Sequence, residues 1–176
     1  AYLIVTIGSG FRTKGVDRAL LAIASLPTAI RKNVYYFVIG QDKAVRFKRQ
    51  AKQLHLYKQV RFLGGSSDIP NFLFAADLML HPAYKESAGI VLLEAVVSGL
   101  PVLTTATCGY APYIESAHAG IVLPEPFLQS NLNTTLLSML TNLSVQPWSE
   151  QGIRFGLEHP LNRMPDIACE RIMQFI

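Results

Sequence analysis

Two patterns of hydrophobic and polar positions alternate along this chain of 176 residues. The first consists of short apolar or β-branched runs, which are typical of strands buried on both faces of a sheet. We predict strands at residues 3–7, 35–39, 60–63, 78–81, 102–104 and 120–123. Each run is too short for a buried helix, so strands are the favoured interpretation.

The second pattern is the 3.6-residue periodicity of helices that bury one face. In the first such segment Leu20, Leu21 and Ile23 form the apolar stripe. We predict helices at residues 16–25, 44–54, 69–75, 89–97 and 131–140. After Pro147 the pattern weakens, and prolines at 160 and 165 interrupt the chain. We therefore expect a tail that is only loosely docked.

Strands that alternate with helices predict repeated βαβ units. The expected fold class is α/β, a Rossmann-like open parallel sheet with helices on both faces. No internal repeat or linker divides the sequence, so residues 1–176 are expected to form a single domain. Ligands of such sheets bind at the carboxyl ends of the strands. A site is therefore expected in the loops after residues 7, 39, 63, 81 and 104.

The composition and the length of the apolar runs indicate a globular protein rather than a membrane-spanning one. Half of the residues are hydrophobic and 16% are charged, which is typical of a globular protein. The longest apolar runs are far shorter than the roughly 20 residues of a membrane span. Residues 2–7 lack a basic leader and a cleavage site, which favours the cytoplasm over secretion.

Cysteines and histidines give no sign of a metal centre. Cys108 and Cys169 stand far apart without metal-ligand spacing, so we predict neither a disulfide nor a zinc site. The histidines are scattered, and no catalytic Ser-His-Asp arrangement can be inferred from them. His81 closes a predicted strand, and we expect it to pack in the core or line the pocket.

Much of the net charge of +4 is local. The basic cluster comprises Lys43, Arg46, Lys48, Arg49, Lys52, Lys58 and Arg61. It has two interpretations: a solvated helix face, or a contact with an anionic membrane surface or a phosphorylated acceptor. Nucleic acid is disfavoured, because no aromatic stacking pattern accompanies the charge.

The most informative segment is residues 81–105, where a strand, a loop and an apolar helix follow one another. The amides of Gly89, Ile90 and Val91 are expected to be free at the helix start, where the helix dipole favours an anion such as a diphosphate. Glu86 and Glu94 bracket this start. At about 1.5 Å of rise per residue they span on the order of 12 Å, into which a nucleotide sugar fits.

Two carboxylates beside an anion site require a further explanation. A carboxylate accepts hydrogen bonds from vicinal hydroxyls, so one glutamate can bind a ribose and the other a transferred sugar. Alternatively, Glu86 is a solvated loop residue and Glu94 lies on a helix surface. Glu94 interrupts an otherwise apolar run, which predicts buried surroundings and therefore a functional role.

The glycine-rich loop after the first strand leads into a helix, with Arg12 and Lys14 close to the helix start. Such a loop can cradle phosphate. Thr13 stands where the third glycine of a dinucleotide fingerprint belongs, and no acidic ribose ligand follows about 20 residues later. A dehydrogenase cofactor domain is therefore the weaker interpretation.

These segments resemble a known family. Glu86 and Glu94 form an E-x7-E pair followed by GLPV at residues 99–102, and residues 14–17 read KGVD. Together they resemble the C-terminal, donor-binding domain of retaining glycosyltransferases with the GT-B fold. FRTKGVDR, VIGQDK, AADLMLHPAY, ESAGIVLLEA and GLPVLTTATCGYAPYI are similar to the lipopolysaccharide core glucosyltransferases that add the first glucose to inner-core heptose. The likeness covers about residues 8–127.

The resemblance implies a function. The donor would be a UDP-sugar, with UDP-glucose expected, transferred with retention and without a metal or other cofactor. By analogy Glu94 holds the ribose hydroxyls and Glu86 the hydroxyls of the transferred sugar. Lys14 would stabilise the departing phosphate charge, with Glu86 and Lys14 as the catalytic pair.

The same resemblance places the base near Gly40, Arg61, Phe62 and Leu63, through backbone groups and packing. It also implies half of a two-domain enzyme, whose acceptor domain would bind the lipopolysaccharide core and is missing from this sequence. We therefore expect residues 1–176 alone to lack transferase activity. The alternative is a non-catalytic nucleotide-binding or regulatory module on the same scaffold.

Two positions depart from the family pattern. Ser9 follows Gly8 where many relatives carry arginine, and Thr13 replaces the arginine that precedes the lysine in close relatives. Arg12 is the candidate substitute. If Arg12 does not reach the diphosphate, Lys14 carries that charge alone.

Overall fold

The computed structural model describes residues 1–159, in which strands and helices alternate. The strands are β1 (Tyr2–Ile7), β2 (Val34–Ile39), β3 (Val60–Gly64), β4 (Leu78–His81), β5 (Val102–Thr105) and β6 (Gly120–Leu123). The helices are α1 (Val16–Ser25), α2 (Thr28–Arg31), α3 (Val45–Gln53), α4 (Ile69–Ala75), α5 (Ile90–Val97), α6 (Ala111–Ser116), α7 (Gln129–Asn142) and α8 (Trp148–Glu158). No helix of this part of the chain is long and apolar enough to cross a bilayer.

All six strands are parallel and form one sheet in the order β3-β2-β1-β4-β5-β6. The predicted Rossmann-like parallel sheet is confirmed. The strand order reverses between β1 and β4, so the connections from these two strands leave to opposite sides and open a crevice at their carboxyl ends. Gly8 follows β1 at this edge, and Pro82 follows β4.

Helices cover both faces of the sheet, as predicted. One core packs α1, α3 and α7 against the strands, with Leu20, Ile23 and Leu136 fully buried. The other packs α5 and α6 against the opposite face, with Leu92 and Ile114 fully buried. The strands β1, β4 and β5 are thus enclosed on both sides, which explains their uninterrupted apolar runs in the sequence.

The expectation of a loosely docked tail is wrong for α8. Pro147 directly precedes the first residue of α8, and Phe155 is buried against the α5 side of the molecule. A side chain on Gly152 would lie 2.5 Å from the carbonyl oxygen of Val96, so glycine permits the close approach. Pro160, Pro165 and Cys169 lie outside the described residues.

The loops after β1 and β4 are in direct contact. Gly15 has φ of 73°, and a Cβ on it would lie 2.0 Å from the carbonyl oxygen of Pro82. The amide of Tyr84 donates to the carbonyl oxygen of Thr13 at 2.8 Å. Glycine at position 15 is therefore required both by the backbone conformation and by the lack of space.

Gly15→Ala is expected to destabilise the chain more than Gly64→Ala. Both glycines have φ of +73°, but no atom lies within 4 Å of the Cβ position at Gly64. Gly64→Ala should cost about 1–2 kcal/mol for the left-handed backbone. Gly15→Ala should cost at least about 1–3 kcal/mol more, because the loops must separate. Urea unfolding measures both; equal losses would show that the loop contact contributes nothing.

Candidate functional site

The loops after β1 and β4 bring Lys14 and Glu86 together at the crevice. Lys14 Nζ donates to Glu86 Oε2 at 2.6 Å, and the two side chains are 12% and 20% exposed. A charge-assisted contact of this length in a half-buried place is well restrained. The two residues predicted to be catalytic are therefore neighbours in space, although 72 positions separate them in the chain.

The glycine-rich loop positions Lys14. The Lys14 side chain runs past Gly8, where a Cβ would lie 2.6 Å from Lys14 Cε. The amide of Phe11 donates to Asp42 Oδ2 at 2.7 Å, and the Thr13 hydroxyl donates to the Gly10 carbonyl. In this structure the space beside Gly8 is thus filled by the lysine stem.

Arg18 on α1 supports the loop that carries Glu86. Its guanidinium donates to the carbonyl oxygens of Pro82 and Ala83 at 3.2 and 2.9 Å. It also lies 3.6 Å from the ring centroids of both Tyr84 and Phe127. One cation therefore joins α1 to the loops after β4 and β6.

The loop after β5 holds the same segment from the other side. The amide of Gly109 donates to the Glu86 carbonyl at 3.1 Å, and a Cβ on Gly109 would lie 2.1 Å from the Ser87 carbonyl oxygen. The hydroxyls of Thr105 and Thr107 both donate to the Ala83 carbonyl. Backbone contacts thus fix the position of Glu86, and its side chain is left to interact within the crevice.

Electrostatics keep Glu86 ionised. The imidazole of His81 and the ammonium of Lys14 lower the pKa of Glu86 to about 2, against partial burial, which acts to raise it. Glu86 is therefore an anion with acceptor capacity at any physiological pH. Such a group can accept hydrogen bonds from hydroxyls, as predicted for a bound sugar.

Glu94 is exposed, and the prediction of buried surroundings is wrong. The apolar run around it does face the core, with Leu93 and Ala95 buried. Glu94 instead shares the outer face of α5 with Ile90 and Val97, which are 65% and 40% exposed and lie four and three residues away. Apolar residues on that outer face concealed the helix periodicity in the sequence.

The residues predicted to bind a diphosphate lie at the start of α5. Gly89 precedes the helix in a left-handed conformation with φ of 81°, and its carbonyl accepts from the Leu92 amide at 2.9 Å. Since Ile90 and Val91 occupy the first turn, their amides have no acceptor within the helix. A Cβ on Gly89 would lie 3.1 Å from Glu86 Cγ, so glycine also makes room for the carboxylate.

The residues expected near the base of the donor differ in their exposure and in their contacts. A Cβ on Gly40 would lie 2.4 Å from the Gly8 carbonyl oxygen, so Gly40 adjoins the loop that carries Lys14. Phe62 packs in the core beside Phe11, and Leu63 is exposed at the end of β3. Arg61 donates back to the carbonyl oxygens of Tyr57 and Val60, so its guanidinium is engaged at the beginning of β3.

Arg12 is exposed, 5.8 Å from the ring centroid of Tyr84. Sequence reasoning missed the supporting roles of Arg18 and Asp42, because a helical arginine and a loop aspartate carry no distinguishing pattern. It also weighted His81 towards packing. The structure buries His81 with Nε2 at 3.5 Å from Glu86 Oε2. Residues 1–159 contain no cluster of three His, Cys, Asp or Glu side chains suited to a metal ion.

A family model described as "Glycosyl transferases group 1" matches residues 1–153. The chain belongs to this family. The family match extends past the E-x7-E pair of Glu86 and Glu94 into α8, so the sheet and the site described above are part of it. The resemblance to GT-B glycosyltransferases inferred from the sequence is confirmed.

Among curated relatives, the lipopolysaccharide glucosyltransferase WaaG of Escherichia coli K12 is 46% identical over 171 residues. This match covers 97% of the chain and 46% of WaaG. N-acetyl-alpha-D-glucosaminyl L-malate synthase of Bacillus anthracis is 29% identical over 118 residues, 67% of this chain and 31% of that protein. The chain thus spans less than half the length of these relatives.

The chain is also similar to solved structures. The crystal structure of WaaG superposes with a TM-score of 0.93 at 46% identity, covering 97% of this chain and 46% of that one. Anabaena HepE in complex with UDP and glucose has a TM-score of 0.83 at 20% identity, over 98% of this chain and 48% of its own. The second likeness establishes the shared fold.

Glu86→Gln is expected to lower stability in a pH-dependent way. The folded pKa of Glu86 lies below its usual 4.5, so the ionised carboxylate stabilises the fold above that pH and loses this effect as the pH falls towards 2. The difference in unfolding free energy from the wild type should be about 1–3 kcal/mol near pH 6 and shrink by about pH 3. Urea unfolding at several pH values measures it.

Glu115→Gln is the matched control, because Glu115 is an exposed carboxylate on α6. Its effect should be small and constant with pH. A Glu86→Gln difference that stays constant over the same range would contradict a depressed carboxyl pKa.

Proposed function

We propose that this chain is the donor-binding half of a retaining glycosyltransferase that uses a UDP-sugar, with UDP-glucose as the donor. The observation that carries the proposal is the arrangement at the strand crossover. Glu86 and Glu94 lie on either side of the α5 start, and Lys14 lies beside Glu86. Carboxylates on either side of helix-start amides match a nucleotide sugar, whose diphosphate lies between the hydroxyls of the ribose and those of the transferred sugar.

Each part of the donor has a candidate partner. The amides of Gly89, Ile90 and Val91 would bind the diphosphate at the positive end of α5. Glu94, exposed four residues after Ile90, would accept hydrogen bonds from the ribose hydroxyls. The base would lie towards Gly40 and the backbone of residues 61–63, with no requirement for the Arg61 side chain.

Lys14 and Glu86 would carry the chemistry. As the glycosidic bond to the diphosphate breaks, negative charge grows on the leaving phosphate, and the Lys14 ammonium would stabilise it. The 2.6 Å contact with Glu86 keeps the Lys14 side chain oriented until the donor is in place. Glu86 would accept hydrogen bonds from hydroxyls of the transferred sugar. Arg12, exposed beside Tyr84, is the second candidate cation for the diphosphate.

The whole protein would transfer glucose to a heptose of the lipopolysaccharide inner core. The support is the 46% identity to E. coli WaaG across nearly the whole chain. The acceptor would bind to a second domain outside this sequence, in keeping with a match to less than half of WaaG. A non-catalytic nucleotide-binding module remains the competing hypothesis, and a donor-binding test alone would not separate the two.

Calorimetry with UDP, UDP-glucose, GDP-mannose and NAD tests donor recognition. We expect the UDP compounds to bind and Glu94→Gln to weaken both by at least about tenfold, since a charge-assisted contact is worth roughly 1.5–3 kcal/mol. Glu94 is exposed and unpaired among the described residues, so its loss should leave stability unchanged.

Glu115→Gln, which also removes one exposed carboxylate, is the control and should retain wild-type affinity. Equal affinity of wild type and Glu94→Gln would remove Glu94 from the site. A preference for NAD would contradict the glycosyltransferase assignment of the pocket. Glucose transfer by the whole protein, abolished by Lys14→Met, would exclude a non-catalytic module.

The basic cluster is proposed to contact an anionic membrane at the cytoplasmic face. Lys48, Arg49 and Lys52 are exposed on α3. Val45 and Tyr57, at either end of this surface, are 70% and 58% exposed, which adds apolar area between the charges. Cations with interspersed apolar groups are the composition that anionic lipid surfaces attract.

Lys48→Glu/Lys52→Glu should reduce binding to vesicles containing phosphatidylglycerol by at least about tenfold, given about 1 kcal/mol per charge near the surface. Cosedimentation at low and high salt measures this. Arg154→Glu reverses an exposed charge on α8, away from the cluster, and should bind normally. Equal losses in both variants would leave the cluster as a solvated helix face.

A further inference from the structure

His81 is a polar side chain enclosed in the molecule directly behind the catalytic pair. It is the last residue of β4 and is fully buried. Its Nε2 atom lies 3.5 Å from Glu86 Oε2, the same oxygen that accepts from Lys14. Within residues 1–159 neither ring nitrogen has a partner at hydrogen-bonding geometry. The Glu86 carboxylate is thus a charged neighbour of the buried ring.

Three loops supply the titratable groups that face this imidazole. Lys14 comes from the loop after β1, Glu86 from the loop after β4 and Cys108 from the loop after β5. The Thr104 hydroxyl fixes the backbone of His81 through its carbonyl at 3.0 Å and also contacts Cys108 Sγ at 3.2 Å. The ring therefore has little freedom to turn away from Glu86.

The charge state of the ring follows from these neighbours. Burial acts to lower the pKa of His81, but the Cys108 thiol and the Glu86 carboxylate outweigh burial and raise it, with Lys14 opposing them. An imidazolium here is stabilised by the Glu86 carboxylate, 3.5 Å from Nε2. These neighbours therefore favour the cationic form of the ring.

We propose that His81 is a positioning residue whose imidazolium, together with Lys14, holds the Glu86 carboxylate from two sides and orients it towards the transferred sugar. The inference rests on the proposed function for the identity of the sugar, but the coupling of His81 to Glu86 stands on geometry alone. When the Lys14 ammonium turns to the leaving phosphate, His81 is the cation that remains on Glu86. The carboxylate then keeps its orientation during transfer.

The first test measures the coupling itself. The midpoint of the His81 imidazole titration, followed by ¹⁵N and ¹³C NMR, should fall by about one pH unit or more in Glu86→Gln, because the stabilising charge is gone. Glu115→Gln removes an exposed carboxylate and should leave the midpoint unchanged. A midpoint that is the same in Glu86→Gln and wild type would overturn the proposal.

The second test measures the consequence for the donor. His81→Gln should weaken UDP-glucose binding by about tenfold while UDP binding stays within about twofold, because only the sugar meets Glu86. In the wild type the ratio of the two affinities should fall as the pH rises through the His81 midpoint, and in His81→Gln it should be flat. Equal weakening of both ligands would indicate a merely structural role and overturn the proposal.

The two tests separate this inference from the proposed function. If the wild type binds neither UDP nor UDP-glucose while Glu86→Gln still shifts the His81 midpoint, the coupling stands and the donor assignment fails. If the wild type binds UDP-glucose and the midpoint does not move, the donor assignment stands and the positioning role fails. The NMR test needs no substitution at His81, so it is independent of how well His81→Gln folds.

Discussion

The contact between Lys14 and Glu86 is the interaction on which the rest of the site depends. It joins loops from β1 and β4, the two strands between which the sheet reverses its order. The aliphatic part of Lys14 lies against Gly8, and Gly109 packs closely against the loop that carries Glu86. These contacts bring the two charged groups together. Their pairing is thus a product of the topology of the sheet, and the chemistry proposed for them follows from where the fold brings them together.

The two glutamates of the family pattern have different physical situations. Glu86 is half-buried and lies against two other charged or polar side chains, so its ionisation and orientation are set by the protein. Glu94 is exposed and has the freedom of a surface side chain. Glu86 is held by neighbouring side chains, whereas Glu94 is available to a ligand that binds along α5. In the sequence, the apolar surroundings of Glu94 indicate that it is the more constrained of the two glutamates. In the structure, Glu86 is the more constrained one.

The sequence predicted the sheet well, because strands buried on both faces leave apolar runs such as those of β1 and β4 that few other structures produce. It also predicted that Lys14 and Glu86 share an edge, since parallel strands place their following loops together. It could not predict the exposure of Glu94, because Ile90 and Val97 hide the polar face of α5. It could not find Arg18 either, since stacking between Tyr84 and Phe127 depends on α1 and two loops meeting in space.

The packing of α8 against α5 bears on how the chain can be shortened. Gly152 and Gly156 stand four residues apart on α8, and a Cβ on either would press against Val96 or Val97 of α5. The helix that presents its amides to the proposed diphosphate therefore rests on a second helix, whose glycines allow this close approach. A protein cut at Pro147 would uncover the rear of α5 along with the cavity left by Phe155, and the newly exposed apolar surface would favour aggregation.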